Sequence, residues 1–433
     1  MSISLVSRRP RTPSFCGLCF AVVLAASAAS AQDQTAPAAT TKLRPQTPRV
    51  DAISPLDPEA LEQSIRKGVE FLVNDQNPNG SWGSATRTKQ LNIYAHIPGS
   101  HLSYRTATSA LCVSGLIEVG EEARQAIPGG DEALKKGEAY LLKMLPEVRR
   151  DEIDVLYNVW SHGYGIQALV RMYHRHEGEA ELQKQIMEAI EGQIALLARY
   201  DSVDGGWGYY DFNNVVQTPS ASSTSFVNGT ILVALAEARD LGAKFTPVAD
   251  DMVSRAIAAT NRMRKPDNTY LYGEYLKMMP MRGINVPGGS LGRSQCCNIA
   301  LRMWGDETVD NEVLDTWLHR LFARNGWLDI GRKRPVPHEA WFQVAGYFYY
   351  FGHYYGALCI EAMPAAEQSL FKDHMAATLL PLQETDGSWW DYPLYDYHQP
   401  YGTGLALQTL VRCRPDWKSV LKPAEQTAEQ TAD

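Results

Sequence analysis

Cysteine is scarce, with seven in 433 residues, and its distribution is uneven. Cys16 and Cys19 sit in the first twenty residues; Cys112, Cys296, Cys297, Cys359 and Cys413 are scattered over the rest. An odd number so widely spread excludes a disulfide framework. A basic excess is also lacking: 41 Lys and Arg stand against 49 Asp and Glu, a formal charge of -8. Such a surface does not seek nucleic acid. Beyond the N-terminus no apolar run is long enough to cross a bilayer, so no integral membrane segment is expected in the mature chain. Period-two alternation is missing too, and with it any sign of a sheet.

What is present begins with an export signal. Arg8, Arg9 and Arg11 precede the apolar run Phe15 to Ala28, and Ala29-Ser30-Ala31 offers a small-x-small cleavage site. Residues 1–31 are read as a secretory signal peptide, and the product as periplasmic or secreted, starting near Gln32. Its removal takes three arginines and no acid, moving the formal charge to -11. Residues 32–55, rich in Ala, Thr, Pro and Gln, read as a disordered linker, and 422–433 as a disordered tail. A single helical domain is expected over 56–421.

Within it, helices come in pairs. First members begin near Pro58, Asp131, Glu179, Pro247, Val309 and Pro364, and each is followed by a more apolar helix. The second members align on the anchors Leu116, Leu169, Leu235, Leu301, Ile360 and Leu410. Seven positions before the anchors stand Ser109, His162, Asn228, Ser294, His353 and Thr403, all able to hydrogen-bond. A helix that is apolar all round must be buried. Six such pairs predict an all-α fold, an (α/α)6 toroid with an inner and an outer ring of helices.

Three corners repeat one pattern. Aligned on Leu72, Leu197 and Leu379, the fourth residue on is Gln76, Asp201 or Gln383 and the tenth is Trp82, Trp207 or Trp389, with Gly80, Gly206 and Gly387 ahead of the Trp. The pattern predicts a brace: a polar side chain bonds loose backbone at a helix end, glycine turns the chain, and Trp covers the corner. "GVEFLVNDQNPNGSW" and "ATLLPLQETDGSW" resemble the QW repeats of the terpenoid cyclase and protein prenyltransferase superfamily, and "SVDGGWGYYD" resembles a degenerate copy. "WSHGYGIQALVRMY" and "YFGHYYGAL" are similar to exported planctomycete-type proteins with prenyltransferase and squalene-oxidase repeats. The resemblance covers about residues 58 to 415 and implies a toroid that holds an apolar or isoprenoid-like ligand in a central aromatic-lined cavity.

The chemistry of the well-known relatives is not carried over. No Asp-x-Asp-Asp acid motif is present. Cys296 and Cys297 lack the Asp that a prenyltransferase zinc site pairs with its Cys, and Cys-Gly-Glu-Gln is missing. No metal and no cofactor are therefore expected. Long outer-to-inner connections gather on one rim, where binding residues accumulate. His162, His353, Asp396 and His398 are the candidate acid-base residues there, and Tyr164, Arg293, Tyr354, Tyr355 and Tyr401 the candidate ligand-binding residues. His162 and His353 are expected to point into the cavity from opposite sides of the ring. Three readings stay open: an apolar-ligand toroid, catalytic or not; a polysaccharide lyase or other carbohydrate-active enzyme using His, Tyr and Arg; and a noncatalytic binding scaffold. The corresponding partners are a small apolar molecule or a polysaccharide.

Overall fold

A computed structural model describes residues 48–90, 92–96, 98–211 and 223–419. The expected signal peptide, most of the linker and the whole of the tail lie outside these residues. Twelve long helices run in alternation: α1 (Pro58–Asp75), α2 (Gly99–Glu118), α3 (Gly130–Met144), α4 (Asn158–Arg175), α5 (Ala180–Ala198), α6 (Ser225–Leu241), α7 (Pro247–Met263), α8 (Pro287–Met303), α9 (Asn311–Ala323), α10 (Phe348–Glu361), α11 (Ala365–Leu379) and α12 (His398–Val411).

Their starts are written locally. The Asp57, Thr246 and Asp310 side chains accept from Glu59, Ala249 and Val313 amides at the starts of α1, α7 and α9. Prolines open α1, α7 and α8, where a missing N–H costs nothing. The even-numbered helices are buried along nearly their whole length, whereas the odd-numbered ones bury one face. Each even helix packs on the next, and α12 packs on α2, so the inner ring closes. The protein is an (α/α)6 toroid. Among the described residues no strand forms, and three isolated bridges, such as Val155 with Tyr210, tie rim loops together.

The corners follow the expected brace and add a partner. The indoles of Trp82, Trp207 and Trp389 donate to the carbonyls of Leu72, Leu197 and Leu379 at 2.7, 3.0 and 3.1 Å. Their backbone amides donate to Ser109, Asn228 and Thr403 on the inner helix. Gln76 and Gln383 reach carbonyls of Ala133 and Ser64 on the neighbouring outer helix, and Asp201 pairs with Arg255 there. Each corner therefore joins its own pair to the next one. The turn glycine of the second corner is Gly205, φ +90°, rather than Gly206: a Cβ on Gly80, Gly205 or Gly387 would sit 2.3 to 2.4 Å from a backbone carbonyl of the next outer helix. A fourth corner was not legible as a repeat. Lys265 and Asn268 make the same turn bonds, Asn268 takes the glycine's place at φ 56°, and Tyr270 stands for Trp, its amide donating to Ser290.

Candidate active site

The connections that enter the inner helices span 76–98, 145–157, 199–224, 264–286, 324–347 and 380–397, and their described residues form the rim that opens onto the N-terminal ends of the ring. Below it lies a cavity of about 250 Å³ with a mostly apolar wall. Position matters more than residue type in choosing the wall. Nine residues before the six anchors stand Ala107, Trp160, Phe226, Gly292, Phe351 and Tyr401, and all but Gly292 line the cavity. Nine residues are two and a half helical turns, which puts these side chains on the face opposite the anchor. Tyr104, Tyr157, Tyr164, Tyr209, Tyr210, Tyr347, Tyr392 and Tyr397 complete most of the wall.

The hydroxyls of these tyrosines bond to one another, to backbone carbonyls and to histidine and lysine side chains. The Tyr157 hydroxyl donates to the Tyr94 carbonyl at 3.0 Å and lies 3.2 Å from the Tyr210 hydroxyl; Tyr209 pairs with Tyr272. Lys89 donates to Tyr392 at 2.6 Å. Tyr347 donates to Nε2 of His338, whose Nδ1 is held by the Gln343 carbonyl at 2.8 Å. With hydroxyls so engaged, the wall offers mainly ring faces. Phe226 is the centre of this aromatic floor, with Phe348, Tyr272 and Trp160 ring centroids 5.0, 5.2 and 5.7 Å away.

One carboxyl enters the wall. Asp391, buried, accepts from the Tyr350 amide at 3.1 Å, and burial pushes its carboxyl up to about 7 against that bond. Sequence reasoning missed it, because Asp391 belongs to no motif; its one signal was its place two residues after the corner Trp389. His398 also lines the cavity. The Tyr395 carbonyl takes its Nδ1 proton at 2.8 Å, which leaves Nε2 free to accept, and burial holds its pKa below the ordinary value. Tyr164 and Tyr401 stand in the wall as well.

The other expected site residues lie elsewhere. His162 is fully buried between layers, with Nδ1 2.7 Å from Gln193 on α5 and Nε2 3.3 Å from Asn158. His353 likewise sits between layers, 2.7 Å from Asn325 just beyond α9 and 2.7 Å from the Tyr349 carbonyl. Neither reaches the cavity, which corrects their expected placement. Both side chains share the outward face of the corner acceptors Ser109, Asn228 and Thr403. Tyr354 and Tyr355 lie deeper, bonded to Gln167 and Thr230, outside the wall. Asp396 accepts from the Ser84 hydroxyl at 2.8 Å and is not a wall residue.

Arg293 grips neither Asp396 nor the cavity. Its guanidinium donates to the carbonyls of Gly289, Tyr270 and Ile284 and lies 5.2 Å from the Tyr272 ring and 5.5 Å from Phe348, behind the wall. Burial lowers its pKa to about 10. The Cys297 thiol, likewise buried, is pushed up to about 12. Among the described residues one group has metal-like spacing, His96 with Asp151 and Glu152 on the exposed rim, but Asp151 already accepts from the Ser100 amide and hydroxyl at the start of α2.

Fold and site together define a helical toroid with an aromatic, acid-bearing chamber at one mouth. The chain matches none of the known protein-family profiles. Among solved structures, an inactive variant of an alpha-1,6-mannanase from a Salegentibacter species, in complex with alpha-1,6-mannotriose, superposes with a TM-score of 0.50 at 12% identity, covering 82% of this chain and 98% of that one. A possible GH105 family member from Klebsiella pneumoniae gives 0.49 at 10% identity over 86% and 96%. A D-mannose isomerase gives 0.47 at 14% over 82% and 97%. At such identities the likeness is one of fold.

Proposed function

We propose that the chain is a proton-transfer enzyme that takes a small uncharged ligand, a sugar unit in the first reading, into the tyrosine chamber. The carrying observation is Asp391, a buried carboxyl whose pKa of about 7 keeps a proton available near neutrality. His398, neutral with Nε2 open, is the matching base on the same wall. Asp391 is the one carboxyl in the described wall, whereas glycoside hydrolysis generally employs two. That favours elimination, isomerisation or epimerisation over hydrolysis. Ring faces suit the apolar C–H face of a pyranose, and the mannanase with its mannotriose is a precedent for sugar binding on this fold.

A second reading has its own observation. Because the tyrosine hydroxyls are engaged by one another, by backbone carbonyls and by histidine and lysine side chains, the wall offers few partners to a sugar's hydroxyls, and an isoprenoid would leave nothing unpaired. Asp391 would then protonate an alkene, with ring faces stabilising the cation. The QW-like corners favour this reading as well.

Titration calorimetry with mannose and mannotriose in one arm and farnesol and squalene in the other separates the two. A signal from the sugar arm alone supports the first reading, from the isoprenoid arm alone the second; silence in both overturns the chamber as a ligand site. With the binder in hand, Asp391→Asn is expected to retain affinity while turnover falls by about 10²- to 10⁴-fold. Wild-type turnover should decline as pH rises through about 7, where Asp391 loses its proton.

A further inference from the structure

Two rim loops carry most of the large apolar side chains that the described residues leave in water. Met278, Met281 and Trp341 are exposed to 84, 78 and 72%, and Tyr275, Met279 and Val336 stand out beside them. The loops meet where Arg282 Nε donates to Gln343 at 3.0 Å. Isolated exposed apolar residues need no explanation, but a cluster of this kind does.

The backbone holds the cluster in place. Phe342 and Gln343 sit at φ 60° and 53°, in the left-handed region that side chains ordinarily avoid. This turn tucks Phe342 inward, so close to Gly288 that a Cβ there would lie 2.8 Å from its ring, and leaves Trp341 facing out. The unpaired charge around the cluster is mostly positive. Lys277, Arg282 and Arg334 form no ion pair among the described residues, while Glu274 is taken by Arg262 and Glu339 acts on Lys89. This occurs on a chain whose net charge is -8.

We infer that this rim patch docks on an anionic lipid surface, with Met278, Met281 and Trp341 entering the headgroup region and Lys277, Arg282 and Arg334 meeting the phosphates. Unbranched methionines adapt to a disordered apolar layer, and Trp favours the boundary between apolar and wet. A second copy of the chain fits worse, because a twofold contact would bring the three unpaired cations against their own copies. Pro337 and His338, on the same loop as Trp341, line the chamber, so a docked molecule holds its mouth at the lipid surface. The inference does not depend on which ligand the chamber takes.

The test is flotation of the full chain with vesicles of phosphatidylcholine containing roughly one third phosphatidylglycerol. Wild type is compared with a Met278→Ser, Met281→Ser, Trp341→Ser variant and with Lys277→Glu, Arg282→Glu, Arg334→Glu. All carry the same N-terminal apolar run, so differences read the patch alone. Each variant is expected to bind about tenfold more weakly or worse, with an unchanged melting temperature, and added salt should weaken the wild type. Equal binding by wild type and variants, or no binding by any, overturns the inference. So does a concentration-dependent wild-type dimer that the apolar variant loses, which would make the patch a self-contact.

Discussion

At the scale of single residues, the buried ionisable groups pull in opposite directions. His162 and His353, desolvated and neutral, have pKa values lowered to about 4 from an ordinary 6.5. An unfolded chain protonates them between those values, so the stability they contribute is complete above about pH 6.5 and is lost as pH falls towards 4. Asp391 has the reverse sign: folded, it keeps its proton up to about 7, so its contribution is present below the unfolded value of 3.8 and lost as pH rises through 7. From pH 4 to 6.5 these three groups leave one more proton on the unfolded chain, a slope of about 1.4 kcal/mol per pH unit. Asp391→Asn removes the opposing group and should steepen the rise of stability with pH by about the same amount again. Urea unfolding at several pH values between 4.5 and 6.5 reads the slope, and an unchanged slope would refute the raised Asp391 pKa. His162→Ala, which orphans Gln193 and Asn158, should cost about 1 to 3 kcal/mol at neutral pH, as expected of a tie between layers.

At the scale of elements, the corner brace explains both what the sequence disclosed and where it misled. The Leu-to-Trp spacing was legible because the indole must reach the carbonyl ten residues back, which fixes the loop length. The level of His162 and His353 was legible too, from the anchors; their direction was not. Seven residues are nearly two full turns, so they share the face of the anchor, and Ser109, Asn228 and Thr403 on that face serve the corner tryptophans outside the ring. Counting nine instead of seven would have found the wall. The tyrosines of the rim loops and Asp391 could not be found in this way, because loops have no period. Trp389→Ala leaves a large void and frees the Leu379 carbonyl, while the backbone amide keeps its bond to Thr403; a loss of about 3 to 5 kcal/mol is expected. By contrast Gly192, exposed in mid-helix in α5 with no atom near a new Cβ, should gain about 0.5 to 1 kcal/mol as Ala. Thermal unfolding of the two variants in parallel checks both signs.

At the scale of the whole molecule, the question is what closes the ring at the end away from the chamber. There Arg171 on α4 donates to Glu118 at the end of α2 and to Glu237 on α6, at 2.6 and 2.8 Å. Arg412, just past α12, bonds Glu118 as well and reaches Glu361 of α10 at 3.0 Å. Five of the six inner helices thus meet in one network of ions, with Arg171 and Glu118 inaccessible to water. Burial pushes the Glu118 carboxyl up, and Arg412 and Arg171 more than offset it, holding its pKa below the usual range. Its contribution is therefore present at neutral pH and lost on acidification. Glu118 and Arg412 are 294 positions apart in sequence, so their contact forms only when the last pair of helices meets the first. Arg412→Met leaves the carboxylates of Glu118, Glu237 and Glu361 with Arg171 as the one arginine of the network and should cost about 3 to 5 kcal/mol, whereas adding Glu118→Gln should recover part of that loss by removing one of the excess buried negative charges. If the seam ties the toroid into one cooperative unit, intrinsic Trp fluorescence and far-ultraviolet circular dichroism should report coincident urea transitions in wild type and separate ones in Arg412→Met. A single coincident transition in the variant would show that the packing of α12 on α2 closes the ring without the ions.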